Sequence, residues 1–383
     1  MEIVFWFSVL MLFHAYLIYP ITIKFISLFF NSKETEEESS ISVAILISVY
    51  NEEKVIKERI TNIAGLDYDF SKIEVLVGSD SSTDRTNQIL MELKSTYPWL
   101  SIYPFPERRG KVSVLNDLVK ETKSEVILFT DANTIFEKKS LRRLVSYFKD
   151  ETIGGISGRL NLIEKNPSSK GRTEEKRYWE YETVLKKLEG KCGVLIGANG
   201  GIFAIRKNLF NEIPIKYPVT DDLFISLTVL QKGFRFIYDF EAIAYEEVAP
   251  RIIDEFKRKI RFGATNFYTL LYFKDLLLNK NMLLSFAFWS HKIIRWFTPV
   301  LLLLIFVSNI LLLNVNAFYD IFFLIQMVFY LTAIVGFLLK KINIQITLFL
   351  ISFYFLMTNV ALFIGLLKFL TGKQTAFWQS TPR

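Results

Sequence analysis

VILFTDANTIFE, residues 126–137, is the stretch on which the fold turns. It opens as an apolar run and then presents a carboxylate, Asp131, and a carboxamide, Asn133, two positions apart. An apolar run of this length suits a strand covered on both faces of a parallel sheet. Upstream, SVAILISVY (42–50), IEVLVGSD (73–80) and LSIYPF (100–105) have the same character. Between them lie helical patterns: NEEKVIKERITNIAGL, with Asn51 as its expected N-cap and Ile56, Ile60 and Ile63 at helical spacing, then TNQILMELK, KVSVLNDLVKE and KSLRRLVSYFK. Strand and helix alternate, which predicts right-handed crossovers and a doubly wound open sheet. Ligands of such sheets bind outside the carboxyl ends of the strands.

The polar residues that break the apolar runs fall at those ends: Asn51 and Glu52, Asp80, and Asp131 with Asn133. Any one of them, or Asp84, could form an Asx turn or a cap. A set of them converging on one edge of a sheet predicts a site. A hard divalent cation, Mg²⁺ or Mn²⁺, takes oxygen ligands, uses one or two protein groups and completes its shell with substrate phosphates and water. Asp131 with the Asn133 amide oxygen fits that arrangement, and a nucleoside diphosphate would supply the rest.

The chain has 383 residues, 51% hydrophobic and 22% charged, a combination that requires the two kinds of residue to be segregated. Residues 1–30 hold only Glu2 and Lys24 as charged groups and predict a retained transmembrane helix. Residues 297–370 predict about three more spans, separated by NVNAFYD and KKIN. Between them, 35–280 is a soluble domain of ordinary size. Residues 283–296 carry His291, Lys292 and Arg295, costly in hydrocarbon, and predict an interfacial helix; 371–383 is a basic tail whose side of the membrane stays open. One cysteine, Cys192, and two histidines, His14 and His291, argue against a disulfide scaffold, a thiolate metal cage or a histidine-based hydrolase. The net charge of +7 suits a domain beside an anionic leaflet or an anionic ligand.

At this point the residues resemble the membrane-embedded glycosyltransferase family 2 enzymes, the group of cellulose, hyaluronan and poly-N-acetylglucosamine synthases. The similarity runs from about Val43 to Asn266. SVYNEE (48–53) looks like the first nucleotide-binding strand end, which implies Tyr50 and Glu52 near the base. GSDSSTDRT (78–86) is similar to D-D-G-S-T-D-x-T, with Asp80 in the uracil and ribose site and Ser79 where many members have Asp. RRGKVSVLN (108–116) resembles G-K-x-x-A-L-N and implies Lys111 near the pyrophosphate. FTDANT matches the D-x-D metal motif with Asn133 as its second member, a swap that removes one negative charge.

GANGGIFAIRKNLF (197–210) looks like the glycine-rich stretch before the acceptor site. VTDDLFISLTVLQKGFRF (219–236) resembles T-E-D followed by a distant glycine, which implies Asp222 as the catalytic base and Asp221 where Glu usually sits. EFKRKIRFGATN (255–266) resembles the Q-x-x-R-W segment, with Arg258, Arg261 and Phe262 in the Gln, Arg and Trp places. The missing Trp, a ring that stacks on the acceptor sugar in processive members, bears on chain elongation.

The resemblance implies an α/β GT-A-type, Rossmann-like, nucleotide-sugar-binding domain inserted between an N-terminal transmembrane helix and a C-terminal transmembrane region. It implies an inverting, metal-dependent transfer from a nucleotide-sugar, UDP-linked on this reading, to a polysaccharide, glycan or lipid-linked acceptor, on the cytoplasmic face of the cell membrane. Arg258 and Arg261, three apart on one helical face, would meet the diphosphate; an interfacial helix whose basic side meets lipid phosphates would show the same pattern. Phe256, Ile260, Gly263 and Phe267 form the other face. RYWEYE (177–182) offers Tyr178, Trp179 and Tyr181, with Trp179 and Phe262 as acceptor contacts, although aromatic side chains on a helix also serve packing. The competing reading is a catalytically silent nucleotide-sugar-binding membrane subunit acting as scaffold or regulator. No nucleic-acid motif is present.

Overall fold

The computed structural model describes residues 1–31, 41–163, 173–247, 252–342, 344 and 346–374. The tail expected at 371–383 falls outside the described residues from 375 onward. The chain divides into two compact units. One holds Ser27–Lys165 and Lys186–Val248 and contains the sheet; the other holds Met1–Ile26, Asn166–Leu185 and Ala249–Gln374 and is helical.

In the sheet unit the strands are β1 (Val43–Val49), β2 (Ile73–Asp80), β3 (Leu100–Phe105), β4 (Val126–Thr130), β5 (Thr134–Phe136), β6 (Ile153–Ile163), β7 (Phe203–Arg206) and β8 (Arg235–Glu247). They form one sheet in the order β3-β2-β1-β4-β7-β6-β8-β5. Helices α3 (Ile56–Ala64), α4 (Thr86–Thr96), α5 (Lys111–Glu121) and α6 (Ser140–Ser146) lie between the early strands, and α8 (Asp221–Gln231) precedes β8. β1 and β4 are buried along almost their whole lengths, as their apolar runs require.

The expected parallel sheet accounts for β3, β2, β1 and β4, which all run the same way. The second half is mixed. β7 is antiparallel to both β4 and β6, β6 and β8 are parallel, and β5 pairs antiparallel with β8 at the edge. For β5 the opening stretch matters: only residues 131–133 separate β4 from β5. A parallel return needs a dozen residues or more, so β5 cannot lie parallel beside β4; it pairs with β8 instead. Asp131 and Asn133 occupy that short connection.

In the helical unit, α1 (Glu2–Phe13) and α2 (Tyr19–Ser27) are joined through a π-helical turn at His14–Ile18. It also contains the first part of α7 (Thr173–Lys191), then α9 (Ile252–Tyr272), α10 (Met282–Ala287), a second π-helical turn (Phe288–Ile293), α11 (Ile294–Trp296), α12 (Thr298–Leu311), α13 (Ala317–Lys341) and α14 (Thr347–Leu370). Among the described residues, three helices are long and apolar enough to cross a membrane: Glu2–Ser27, Ala317–Lys341 and Thr347–Leu370. The span expected from residue 297 onward differs. α12 has 14 residues, about 21 Å at 1.5 Å per residue against a hydrocarbon core of about 30 Å. It is bent by 61° against Met282–Trp296, so the two make at most one broken span or a re-entrant loop.

In the helix expected to be interfacial, 283–296, the polar side chains turn inward. His291 and Arg295 are only 1% and 7% exposed. Within the unit, Glu182 of α7 accepts from Arg295 Nη1 and lies 3.1 Å from His291 Nε2, while His14 Nε2 meets Ser290 Oγ at 2.8 Å. Pairing replaces hydration for these groups. The helix bearing Arg258 and Arg261 belongs to this unit, not to the domain drawn at 35–280. Its buried positions include Gly263, Ala264 and Phe267, and a methyl group on Gly365 of α14 would sit 2.6 Å from the Ile260 carbonyl oxygen of α9. Glycine therefore sets the close approach of those two helices.

Candidate active site

The site forms at the carboxyl ends of β1, β2 and β4, neighbours in the sheet. Its centre is Lys111, the first residue of α5, whose Nζ lies 2.9 Å from Asp131 Oδ1 and 3.0 Å from Asp221 Oδ2. Burial opposes the Lys111 charge, but Asp131 and Asp221 outweigh it and hold the ammonium protonated well above its ordinary value. Three sequence-predicted residues from positions 111, 131 and 221 thus meet through one cation.

Asp80 is what delivers Lys111. It is 3% exposed, and its two oxygens accept from the backbone N–H groups of Arg109 (2.7 Å) and Gly110 (2.8 Å). Gly110 has φ 87°, the left-handed region open to glycine. The carboxylate expected to face uracil and ribose therefore has a structural task, holding the turn that starts α5. Asp84 caps as its residue type allows, accepting from Glu53 N and from the amide and hydroxyl of Thr86. Asn51 is not the N-cap of α3, which begins five residues later at Ile56. With φ 55°, Asn51 instead accepts from Thr83 N at 2.8 Å and joins the loops after β1 and β2. The neighbouring Glu52 N–H donates to Thr86 Oγ1 at 2.9 Å. The Tyr50 ring carries the Arg108 guanidinium, 3.8 Å from its centroid.

Asp222 sits in the first turn of α8, where the helix N-terminus favours a carboxylate. Its Oδ1 accepts from Leu223 N at 2.7 Å. Even so, burial, and then the like charge of Asp221, push its carboxyl up to about 6, against the opposing pull of Lys186 and Lys111. The glycine-rich loop explains its setting. A methyl on Gly200 would come within 3.3 Å of Asp222 Oδ2, and one on Gly201 within 2.8 Å of Thr134 Oγ1. The double glycine lets backbone pass between the candidate base and the loop after Asp131.

Three participants escaped the sequence reading. Arg59 of α3 is fully buried, donates to Asn62 Oδ1 (2.8 Å) and Thr130 Oγ1 (3.0 Å), and lies 4.3 Å from the Phe136 ring centroid. Burial presses its pKa down while Asp131 supports its charge. Its signal was an arginine on the apolar face of Ile56, Ile60 and Ile63. Lys186 donates to Asn199 Oδ1 in the glycine-rich loop, and Glu246 of β8 accepts from Asn133 Nδ2 at 3.3 Å.

The oxygens fit a divalent cation in one respect that bears on the swap at position 133. Asn133 Oδ1 is buried with no hydrogen-bond partner among the described residues, an orphaned neutral acceptor beside the Asp131 turn. Among the described residues no three His, Cys, Asp or Glu side chains gather as a self-sufficient metal cage. A cation here would draw on diphosphate oxygens, as Mg²⁺ sites commonly do. Arg258, Arg261, Trp179 and Phe262 lie in the helical unit; Trp179 is half-buried, and Phe262 is 38% exposed with the Arg261 guanidinium 5.2 Å from its ring centroid.

Comparison with known proteins identifies the fold as GT-A-like, with a mixed, Rossmann-like sheet. Residues 44–213 match the family described as glycosyl transferase family 2, and this stretch is a domain of that family, so the protein is a glycosyltransferase. A probable glycosyltransferase, YdaM of Bacillus subtilis, is 25% identical over 88% of this chain and 77% of its own length. A poly-beta-1,6-N-acetyl-D-glucosamine synthase of Staphylococcus aureus is 23% identical over 60% of this chain, which spans 55% of that relative. Among solved structures, the mannosyltransferase PcManGT from Pyrobaculum calidifontis, in complex with GDP-Man and Mn²⁺, superposes with a TM-score of 0.71 at 20% identity, covering 97% of this chain and all of that one. It shares the fold.

Proposed function

We propose that this protein is a membrane-embedded, inverting, metal-dependent glycosyltransferase that moves a sugar from a nucleotide-sugar, UDP-linked on our reading, to a glycan, polysaccharide or lipid-linked acceptor. The carrying observation is Asp222, a carboxyl raised to about 6 beside the Lys111, Asp131 and Asp221 cluster. A general base works best with a pKa near the working pH. Asp222 takes the proton of the acceptor hydroxyl, the hydroxyl oxygen bonds to the anomeric carbon, and the bond from that carbon to the diphosphate breaks.

Asp131 and Asn133 Oδ1 would hold Mg²⁺ or Mn²⁺, which when bound supplies positive charge to the leaving diphosphate. Lys111 adds a fixed cation at those phosphates. Tyr50 and Glu52 line the base, Asp80 sets the loop beside the ribose, and Asp221 positions Lys111. The apolar helices keep the catalytic domain at the cytoplasmic face. A relative's name specifies N-acetylglucosamine and a structural neighbour carries GDP-Man, so both donor classes enter the test. Purified protein is given UDP- and GDP-sugars with Mg²⁺, Mn²⁺ or EDTA, and nucleoside diphosphate release is followed. Release with one donor that EDTA abolishes is the expected result; release with none, in the presence of membrane lipids, would refute the proposal.

A further inference from the structure

We infer that Glu246 is a positioning residue that fixes the Asn133 side chain with its oxygen, not its NH₂ group, towards the cation; the inference rests on the metal-dependent reading above. An asparagine can serve a cation only through Oδ1, yet its amide ends are nearly equal in size, so free rotation would present a repelling NH₂ half the time. Something must therefore claim the nitrogen.

Glu246 does so: its Oε1 accepts from Asn133 Nδ2 at 3.3 Å, while Asn133 Oδ1 is left buried and unpartnered. The backbone places the two side by side, because β5 pairs antiparallel with β8 and Thr134, the next residue, is opposite Glu246 in the register. A carboxylate is acceptor-only when ionised, so it can bind only the NH₂ end of the amide. Glu246 also returns, one shell out, the negative charge that asparagine lacks relative to aspartate. Outer partners of metal ligands typically contribute 10–100-fold in metal affinity.

An aspartate at 133 would instead set two carboxylates about 3 Å apart, and they would repel. Charge added at 133 should help only when Glu246 is neutral. The test measures Mn²⁺ affinity of the detergent-purified full chain in the presence of nucleoside diphosphate, by electron paramagnetic resonance of free Mn²⁺. Expected are a roughly 10-fold or greater loss for Glu246→Leu, a smaller loss for Glu246→Gln, which keeps an acceptor, and tighter binding by Asn133→Asp/Glu246→Gln than by Asn133→Asp alone. Metal-free melting curves identify any variant that fails to fold, and the double variant still decides the matter if Glu246→Leu does. Wild-type affinity in Glu246→Leu, or a double variant no tighter than Asn133→Asp, would overturn the role of Glu246 while leaving the metal site. Absence of Mn²⁺ binding by the wild type would overturn the metal reading and this inference together.

Discussion

Replacing Asp222 by Asn is predicted to stabilise the protein and silence it. The carboxyl is held at about 6 against an ordinary 3.8, first by burial and then by Asp221. At about 1.4 kcal/mol for each tenfold change in acidity, the ionised form costs the fold about 3 kcal/mol at neutral pH. Water reaches part of the side chain, so the share recovered on neutralising it is about 1–3 kcal/mol. Because the folded-state pKa lies above the unfolded one, this cost is fully present above about pH 6 and fades as pH falls towards 3.8. Asn keeps the shape and the acceptor for Leu223 N. Thermal melting at pH 8 should therefore show Asp222→Asn above wild type by roughly 2–12 °C, with the gain down to about a third at pH 4.5. Diphosphate release from the same samples should fall by about 10²–10⁴-fold. A variant that melts no higher than wild type at pH 8, or whose gain does not change with pH, would refute the reasoning.

Other outcomes follow from the same geometry. Wild-type turnover should decline as pH drops through about 6, as Asp222 takes up its proton, and a pH-rate profile checks this. Gly201→Ala forces a methyl to within 2.8 Å of Thr134 Oγ1; overpacking of that kind costs about 1–3 kcal/mol, and turnover should fall as the loop after Asp131 is displaced. Glu182→Ala leaves buried Arg295 uncompensated, a loss of about 3–5 kcal/mol. Glu182→Ala/Arg295→Ala should be less destabilising than the sum of the two single changes, which a melting-curve cycle measures.

Much of the sheet unit was legible because its information is local. The apolar runs mark β1, β2, β3 and β4, and KVSVLNDLVKE covers the same residues as α5. Asp131 stood out as a carboxylate ending an apolar run, Lys111 and Asp221 through the resemblance, and the structure joins them. What stayed hidden depends on pairing between distant positions. Nothing near Asn133 in sequence points to Glu246, 113 residues away, and nothing near Asp80 shows that the Arg109 and Gly110 amides will occupy its oxygens. The antiparallel half of the sheet rests on β7 pairing with β4 and β6, strands far from it in the chain, which no local pattern announces. In the helical unit, hydropathy registers that His291 and Arg295 are costly in an apolar setting, but not that Glu182 meets both.

The most direct measurement of the central claim compares wild type and Asp222→Asn at pH 7.5, with saturating donor and Mn²⁺, recording donor affinity and diphosphate release on the same preparations. The account predicts matching donor affinity with turnover reduced at least about 10²-fold in the variant. Equal turnover by the two proteins would contradict it.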